Sequence, residues 1–379
     1  MPSQQVVFSG VDLGAVLTMM SPMKVILRKL LRSFLYVVFI CVCVEVGLQG
    51  FYYFAAGDFL FSRGAVPIYA REPYAGFGNR PGLSFDHRTN EFRAQYYINR
   101  AGFRVPRPEV EYPLAKPSNV YRIMLLGPSF AFGWGVNYEL SLAGVLQQLL
   151  QERRFAGDKK IEIIDAGVPA MPPAPQLSWF EHVGKDYAPD LVIQVVYESM
   201  VQDATGPLLA VNEDGYLVRP HYSPSRHESF KKVATVFYGW MLWTDLRSGS
   251  TVHSSGQGGE FEPTQPKVRE AIQLYKKLAS IVRQAGARLL VVYVPDSFRI
   301  HPEDESRWAP EIDPRQVTFD AAFVRYLNEC HIPSVNTTQQ LLESARGRNR
   351  MYYWLDVHWT PAGNAAAAQA VADYLTGRP

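Results

Sequence analysis

Five short apolar runs, alternating with stretches of helical spacing, organise most of this chain. The runs are residues 121–126 (YRIMLL), 161–166 (IEIIDA), 191–197 (LVIQVVY), 288–294 (RLLVVYV) and 332–335 (IPSV). Between and after them, residues 142–150, 176–183, 267–285, 318–328 and 361–375 place their apolar positions three or four apart. The longer runs are continuously apolar, as expected of parallel strands covered on both faces. Strand and helix in alternation predict an α/β fold with a parallel sheet and crossover helices.

The order breaks between residues 203 and 266. This insert, 204–266, holds GQGG, several serines and an aromatic patch from Phe237 through Trp243 (FYGWMLW). The patch is too short to cross a bilayer. A lid, a rest on the membrane surface, a docking surface for a partner membrane protein and plain packing over the sheet edge all remain open for it.

Ahead of the first run the pattern differs again. Residues 57–117 are rich in Pro, Gly, Arg and aromatics, and short strands around a turn at residues 99–102 predict a small β-rich lead-in. Before that, residues 34–56 (FLYVVFICVCVEVGLQGFYYFAA) are apolar for 23 positions, and about 20 suffice to cross a bilayer. Lys24, Arg28, Lys29 and Arg32 flank one end, while Asp58 and Arg63 follow the other. The excess of positive charge predicts a cytoplasmic tail at 1–33, one transmembrane helix at 34–56 in the inner membrane, and everything beyond it outside the cytoplasm. A cleaved signal peptide is the competing reading. The resulting division is tail 1–33, span 34–56, lead-in 57–117 and α/β domain 118–379.

Glu45 sits near the middle of the apolar span. A carboxylate there is costly and usually faces a partner. A partner helix, a bound group, or a protonated or shallow carboxyl each accounts for it.

Composition narrows the function classes. A hydrophobic fraction of 47% supports a substantial core. Lys+Arg 38 against Asp+Glu 36 leaves +2, which argues against a nucleic-acid partner. Of the three cysteines, Cys41 and Cys43 lie in the span and only Cys330 in the soluble part, so a disulfide framework is excluded. His182, His301 and His331 show no metal-ligand spacing, and no glycine loop with a lysine is present to cradle phosphate. No metal and no cofactor are expected.

In a parallel α/β sheet, ligands bind beyond the carboxyl ends of the strands. The loops there carry Ser129 (GPSFAFGWGV), Gly167 (IIDAGVPAM) and the stretch Glu198-Ser199-Met200. Near the C-terminus comes Asp356-Val357-His358 (DVHWTPAGN). A serine hydroxyl is a poor nucleophile until a base takes its proton. His358 is placed to be that base, with Asp356 fixing its tautomer. Ser129 lies 229 residues upstream, so only the fold can join them. Backbone amides of Ser129 and Gly167 are candidate donors to an oxyanion.

These blocks resemble the SGNH or GDSL-type hydrolases. GPSF is similar to their first block, normally GDSF, and IIDAGVPAM to their second. DVHWTPAGN is similar to their last, with the Asp two before the His, a spacing found in the branch that modifies O-acetyl groups of bacterial exopolysaccharides. The resemblance runs from about residue 120 to the C-terminus. It implies a three-layer, flavodoxin-like α/β domain with Ser129, Asp356 and His358 as the triad, and an oxyanion hole from Ser129, Gly167 and Ser199. Two positions depart from the pattern: Pro128 replaces the Asp of the first block, and Ser199 stands where an Asn normally donates to the oxyanion.

Two functions follow. One is a membrane-tethered serine esterase or O-acyltransferase acting on acylated carbohydrate. The other is a catalytically silent domain of this type within a larger membrane complex, respiratory, photosynthetic or exporting, contacting partners through Glu45 and the 237–243 patch. The serine motif at Asp296-Ser297-Phe298 lacks the flanking glycines and is read as a decoy.

Overall fold

A computed structural model of the chain describes residues 13–56, 59, 66–89, 91–197, 209–213, 215–218, 233–236, 238–239, 242, 266–301, 319–346, 349–354, 356 and 358–377. It begins with helix α1 (Leu13–Ala56). Within α1, Val25–Phe54 is long and apolar enough to cross a membrane, and nearly all of it is exposed. Five residues of its second half are half-buried: Glu45, Leu48, Gln49, Gly50 and Tyr52. Four of these, at 45, 48, 49 and 52, share one helical face.

The lead-in forms strands β1 (Tyr69–Glu72), β2 (Gly76–Asn79), β3 (Ser84–Arg88), β4 (Arg93–Ile98) and β5 (Arg104–Val105). β1 and β2 make a separate antiparallel pair. The α/β part follows as β6 (Val120–Leu126), α2 (Ser129–Phe132), α3 (Leu142–Glu152), β7 (Lys160–Asp165), α4 (Pro173–His182) and β8 (Leu191–Tyr197). Two short strands of the insert, β9 (Ala210–Val211) and β10 (Leu217–Val218), pair with each other. The chain closes with α5 (Pro266–Gln284), β11 (Arg288–Val294), α6 (Ser297–Ile300), α7 (Phe319–Glu329), β12 (Ser334–Asn336), α8 (Thr338–Ala345) and α9 (Pro361–Thr376).

One eight-stranded sheet runs in the order β12-β11-β8-β6-β7-β5-β4-β3. From β12 to β7 all pairings are parallel; from β7 to β3 all are antiparallel. Counted along the chain, the five parallel strands stand second, first, third, fourth, fifth, the doubly wound order. The predicted α/β class is therefore correct, and the lead-in strands β3 to β5 extend the same sheet.

Each parallel strand feeds both faces, because successive side chains point to opposite sides. In β6, Ile123 and Leu125 join a cluster with Leu142 and Leu146 of α3 and Ala367 and Val371 of α9. Met124 and Leu126 join the other cluster, with Phe180 of α4, Tyr275 of α5 and Phe323 of α7. Full burial of each such side chain is worth about 1.5–3 kcal/mol, and it makes the three layers. A third cluster lies under the lead-in, where Phe77, Phe92, Tyr96 and Ile98 meet Phe132, Val168 and Met171.

Local signals set the helix ends. Ser141 caps α3 by accepting from the Gly144 amide at 3.3 Å. Thr360 caps α9 by accepting from the Gly363 amide at 3.2 Å, with Pro361 as first residue and Gly377 (φ 65°) after its last. Arg122 is the one cation inside β6. Its side chain is fully buried, and Glu162, its register partner on β7, meets Nε at 2.6 Å. The Tyr187 carbonyl accepts from the same guanidinium at 2.6 Å. A buried charge persists only with such partners.

Candidate active site

Ser129 opens α2 directly after β6, at the point where β7 and β8 lie on opposite sides of β6. That is the crevice where a doubly wound sheet binds ligands. The turn that presents it is tight: the Pro128 carbonyl accepts from Ala131 and Phe132 at 3.0 and 3.1 Å. Pro128 fits there because its φ of −77° is the value its ring imposes, and no amide is needed at a cap. After four residues α2 ends at Gly133, in the left-handed conformation at φ 72°. A Cβ at Gly133 would stand 2.5 Å from Ser141 Cβ and 2.7 Å from the Arg104 guanidinium.

Asp356 and His358 are presented by the loop ahead of α9. Its two arms are pinned together: the Tyr353 amide donates to the His358 carbonyl at 3.0 Å, and the Thr360 amide to the Met351 carbonyl at 2.9 Å. Asp356 Oδ1 accepts from the His358 amide at 3.0 Å and also contacts His358 Nδ1. His358 Nε2 meets Ser129 Oγ at 2.5 Å. With Nδ1 protonated toward the carboxylate, Nε2 offers its lone pair to the hydroxyl. The structure thus brings together the three side chains singled out from the sequence.

Burial alone would push the Asp356 carboxyl up, but the hydrogen bonds and charge of His358, joined by the side chain of Trp134, hold it below the usual range. The acid therefore stays ionised beside the imidazole. Phe130 and Trp134 pack on the His358 ring at centroid distances of 5.2 and 5.8 Å.

The proposed oxyanion donors fare differently. Among the described residues no acceptor meets the Ser129 amide. The Gly167 amide, the other donor expected, is engaged by Asp165 Oδ1 at 2.9 Å. Asp165 is fully buried, which raises its pKa to about 7 against the opposing pull of Arg104 and this amide. Gly167 still has a reason to be glycine: a Cβ there would lie 2.4 Å from the Phe132 nitrogen. Asn79 of β2 holds the same loop, donating to the Gly167 carbonyl at 2.8 Å. Ser199 lies outside the described residues, as do Glu198 and Met200.

Several site residues were missed from the sequence, most of them on or beside the lead-in. Trp134 supplies a third hydrogen bond to Asp356, beside the two from His358. His87 of β3 packs edge-on against Trp134 at 4.7 Å. Tyr96 Oη accepts from the Gly135 amide at 2.9 Å and shares a hydrogen bond with His87 Nδ1 at 3.1 Å. Burial lowers the His87 pKa to about 4, with Asp356 pulling the other way and His358 adding to the fall. Glu91 accepts from the Trp354 amide, and Tyr353 donates to the Gly135 carbonyl at 2.9 Å. Arg104 of β5, fully buried, donates to the carbonyls of Phe132, Gly133 and Val136 and fixes the turn that carries Trp134. Alternation along β3 predicts Phe85 and His87 on one face, but nothing local says which element that face meets.

Other candidates are structural. His301 Nε2 accepts from the Met351 amide at 3.0 Å. His182 bonds the Ser178 carbonyl at 2.8 Å and stacks on Tyr74 at 4.4 Å. A cavity of about 110 Å³ behind the Gly167 loop, lined by Phe77, Asn79, Phe103, Met171 and Trp179 among others, does not border the Ser129–His358 pair.

Glu45 finds its partners within this chain. Its carboxylate accepts from the Ala234 amide at 2.7 Å and from the Thr235 amide and hydroxyl at 2.9 and 3.0 Å. Gln49 adds a bond at 2.8 Å. Phe51 meets Tyr238 of the aromatic patch edge-on at 6.1 Å.

The α/β fold is consistent with the SGNH type. Comparison with known proteins agrees: residues 257–379 match the family described as "SGNH hydrolase-like domain, acetyltransferase AlgX". A "Probable alginate O-acetylase AlgJ" from Pseudomonas putida is 25% identical over 122 residues, 31% of this chain and only 30% of that protein. The resemblance therefore points to SGNH-type proteins related to acetyltransferases. Among solved structures, an acetylxylan esterase from Geobacillus stearothermophilus is 12% identical, covering 67% of this chain and 94% of its own, with a TM-score of 0.39. A lipolytic protein of the G-D-S-L family from Desulfitobacterium hafniense is also 12% identical, over 67% and 99%, with a TM-score of 0.37. At those scores the structural likenesses carry no weight for function.

Proposed function

We propose that this chain is a serine-dependent O-acyltransferase or esterase acting on acetylated carbohydrate. We place it outside the cytoplasm, tethered to the inner membrane by the 34–56 segment with its N-terminus inside. The observation that carries the reading is the unbroken relay from Ser129 Oγ through His358 to Asp356. The carbohydrate substrate is suggested by the matched acetyltransferase family and the alginate O-acetylase relative. A silent domain has no need of that relay, so the enzyme reading is preferred to the structural-subunit one.

In the proposed reaction, Ser129 Oγ attacks the acyl carbonyl while His358 Nε2 takes its proton. Asp356 keeps Nδ1–H aligned and balances the imidazolium charge. The tetrahedral oxyanion is met by the Ser129 amide. Collapse breaks the bond to the donor oxygen, and His358 returns the proton to that leaving alcohol. The acyl group is then an ester of Ser129. A carbohydrate hydroxyl, deprotonated by His358, takes it in transfer; water takes it in hydrolysis. The second half reverses the first, and serine is regenerated.

The test uses the full-length protein in detergent, with a fluorophosphonate and an activated acetyl ester. One covalent adduct per chain, mapped to Ser129 by mass spectrometry and lost in Ser129→Ala, is the expected result. A folded protein that takes no label, or a label that persists in Ser129→Ala, would overturn the reading. Adding an oligosaccharide acceptor then separates transfer from hydrolysis by the mass of the product.

A further inference from the structure

We propose that residues 233–236, 238–239 and 242 enter the hydrocarbon layer of the bilayer, held there by Glu45, so that the protein engages lipid through two elements. This rests on the reading of α1 as a membrane anchor. Residues 234–236, 238–239 and 242 are helical, and the first amides of that turn donate to the Glu45 carboxylate. A carboxylate at a helix N-terminus satisfies amides that have no intrahelical partner.

The depth follows from α1. Arg28, Lys29 and Arg32 set where the hydrocarbon begins on one side, and the aromatic pair Tyr52 and Tyr53 marks the interface on the other. Glu45 stands seven residues inside Tyr52, about 10 Å along the helix. Whatever donates to its carboxylate shares that depth. The half-buried stripe Glu45, Leu48, Gln49 and Tyr52 is the face of α1 on that side.

The chemistry of the segment fits the same place. Residues 233–244 (VATVFYGWMLWT) carry no charge, while Lys231, Lys232, Asp245 and Arg247 bracket them. The run is too short to cross and its charged ends belong in water, so it must enter and leave on one side. Ala234 is buried, whereas Val236 and Leu242 are 41% and 61% exposed. Both of these exposed side chains are hydrocarbon. Glu45 is thereby explained without a second protein: its acceptor capacity is filled by amides that would otherwise be unsatisfied in lipid.

The test uses full-length protein with Cys41, Cys43 and Cys330 replaced by serine, reconstituted into phosphatidylcholine vesicles. A single cysteine is introduced by Val236→Cys or Leu242→Cys and labelled with an environment-sensitive fluorophore. Val38→Cys on α1 serves as the reference. Acyl-brominated lipid should quench the labels at 236 and 242 to at least half the extent seen at 38. Adding Glu45→Ala should abolish quenching at 236 and leave 38 unchanged. Quenching at 38 with none at 236 and 242 overturns the proposal while sparing the anchor; that result would mean water or protein covers the segment. No quenching at any position overturns the anchor and the proposal with it. Full quenching at 236 in the Glu45→Ala background overturns Glu45 as the tether.

Discussion

The hydroxyl of Ser129 lies 2.5 Å from Nε2 of His358, although 229 residues separate the two. Only the doubly wound sheet joins them, since one follows β6 and the other precedes α9. Ser129→Ala is expected to lower kcat on an activated acetyl ester by about 10⁴-fold or more, and His358→Ala in the same chain should add little, because such residues act as a unit. Steady-state kinetics of both single variants and the double variant check this, with unchanged circular dichroism as the control for folding.

Trp134 is expected to shape the pH profile. Its side chain is one of the donors that keep Asp356 ionised. In Trp134→Phe the carboxylate should take up a proton at higher pH, so the acid limb of kcat/KM moves up. Loss of one hydrogen bond to a charged group, about 1.5–3 kcal/mol, bounds the fall in kcat at neutral pH to roughly 10–100-fold. An unmoved limb would remove Trp134 from this role.

Gly167→Ala should be costly even though the amide is occupied by Asp165. The added Cβ meets the Phe132 nitrogen at 2.4 Å and the Ala131 carbonyl carbon at 2.8 Å, both backbone. Overpacking of this kind costs about 1–3 kcal/mol. It also pushes on the turn that carries Ser129, so a lower melting temperature should come with a lower kcat.

His87 gives a stability prediction with a definite sign. Its folded pKa, about 4, lies below the ordinary 6.5. As pH falls below about 6.5 the unfolded chain takes up the proton first, so this group's contribution is complete above 6.5 and is lost toward pH 4. His87→Gln should flatten that part of the melting-temperature profile, measured between pH 4 and 7.5. A variant as acid-sensitive as the wild type would place the loss elsewhere.

The sheet, and the meeting of Ser129, Asp356 and His358 at its end, were legible in the sequence for a physical reason. A parallel strand buried on both faces leaves a continuous apolar run, and the crevice at its end is where polar chemistry must sit. The runs at 121–126, 191–197 and 288–294 coincide closely with β6, β8 and β11. What was not legible depends on which element meets which. His87 and Arg104 carry no sign that they face the turn after Ser129, and α8 was not anticipated. The engagement of Gly167 by Asp165 is likewise a choice between two acceptors for one amide, which spacing cannot decide.

The continuity of β3, β4 and β5 with the parallel strands has a practical consequence for trimming. A shortened version starting at residue 118 would retain Ser129, Asp356 and His358. It would also bare the β7 edge, strip the guanidinium from the Phe132–Val136 carbonyls and remove the backing of Trp134. An unpaired edge invites chain-to-chain strand addition, so such a fragment should aggregate and be inert. The productive cut for a soluble form lies between the end of α1 and Ile68.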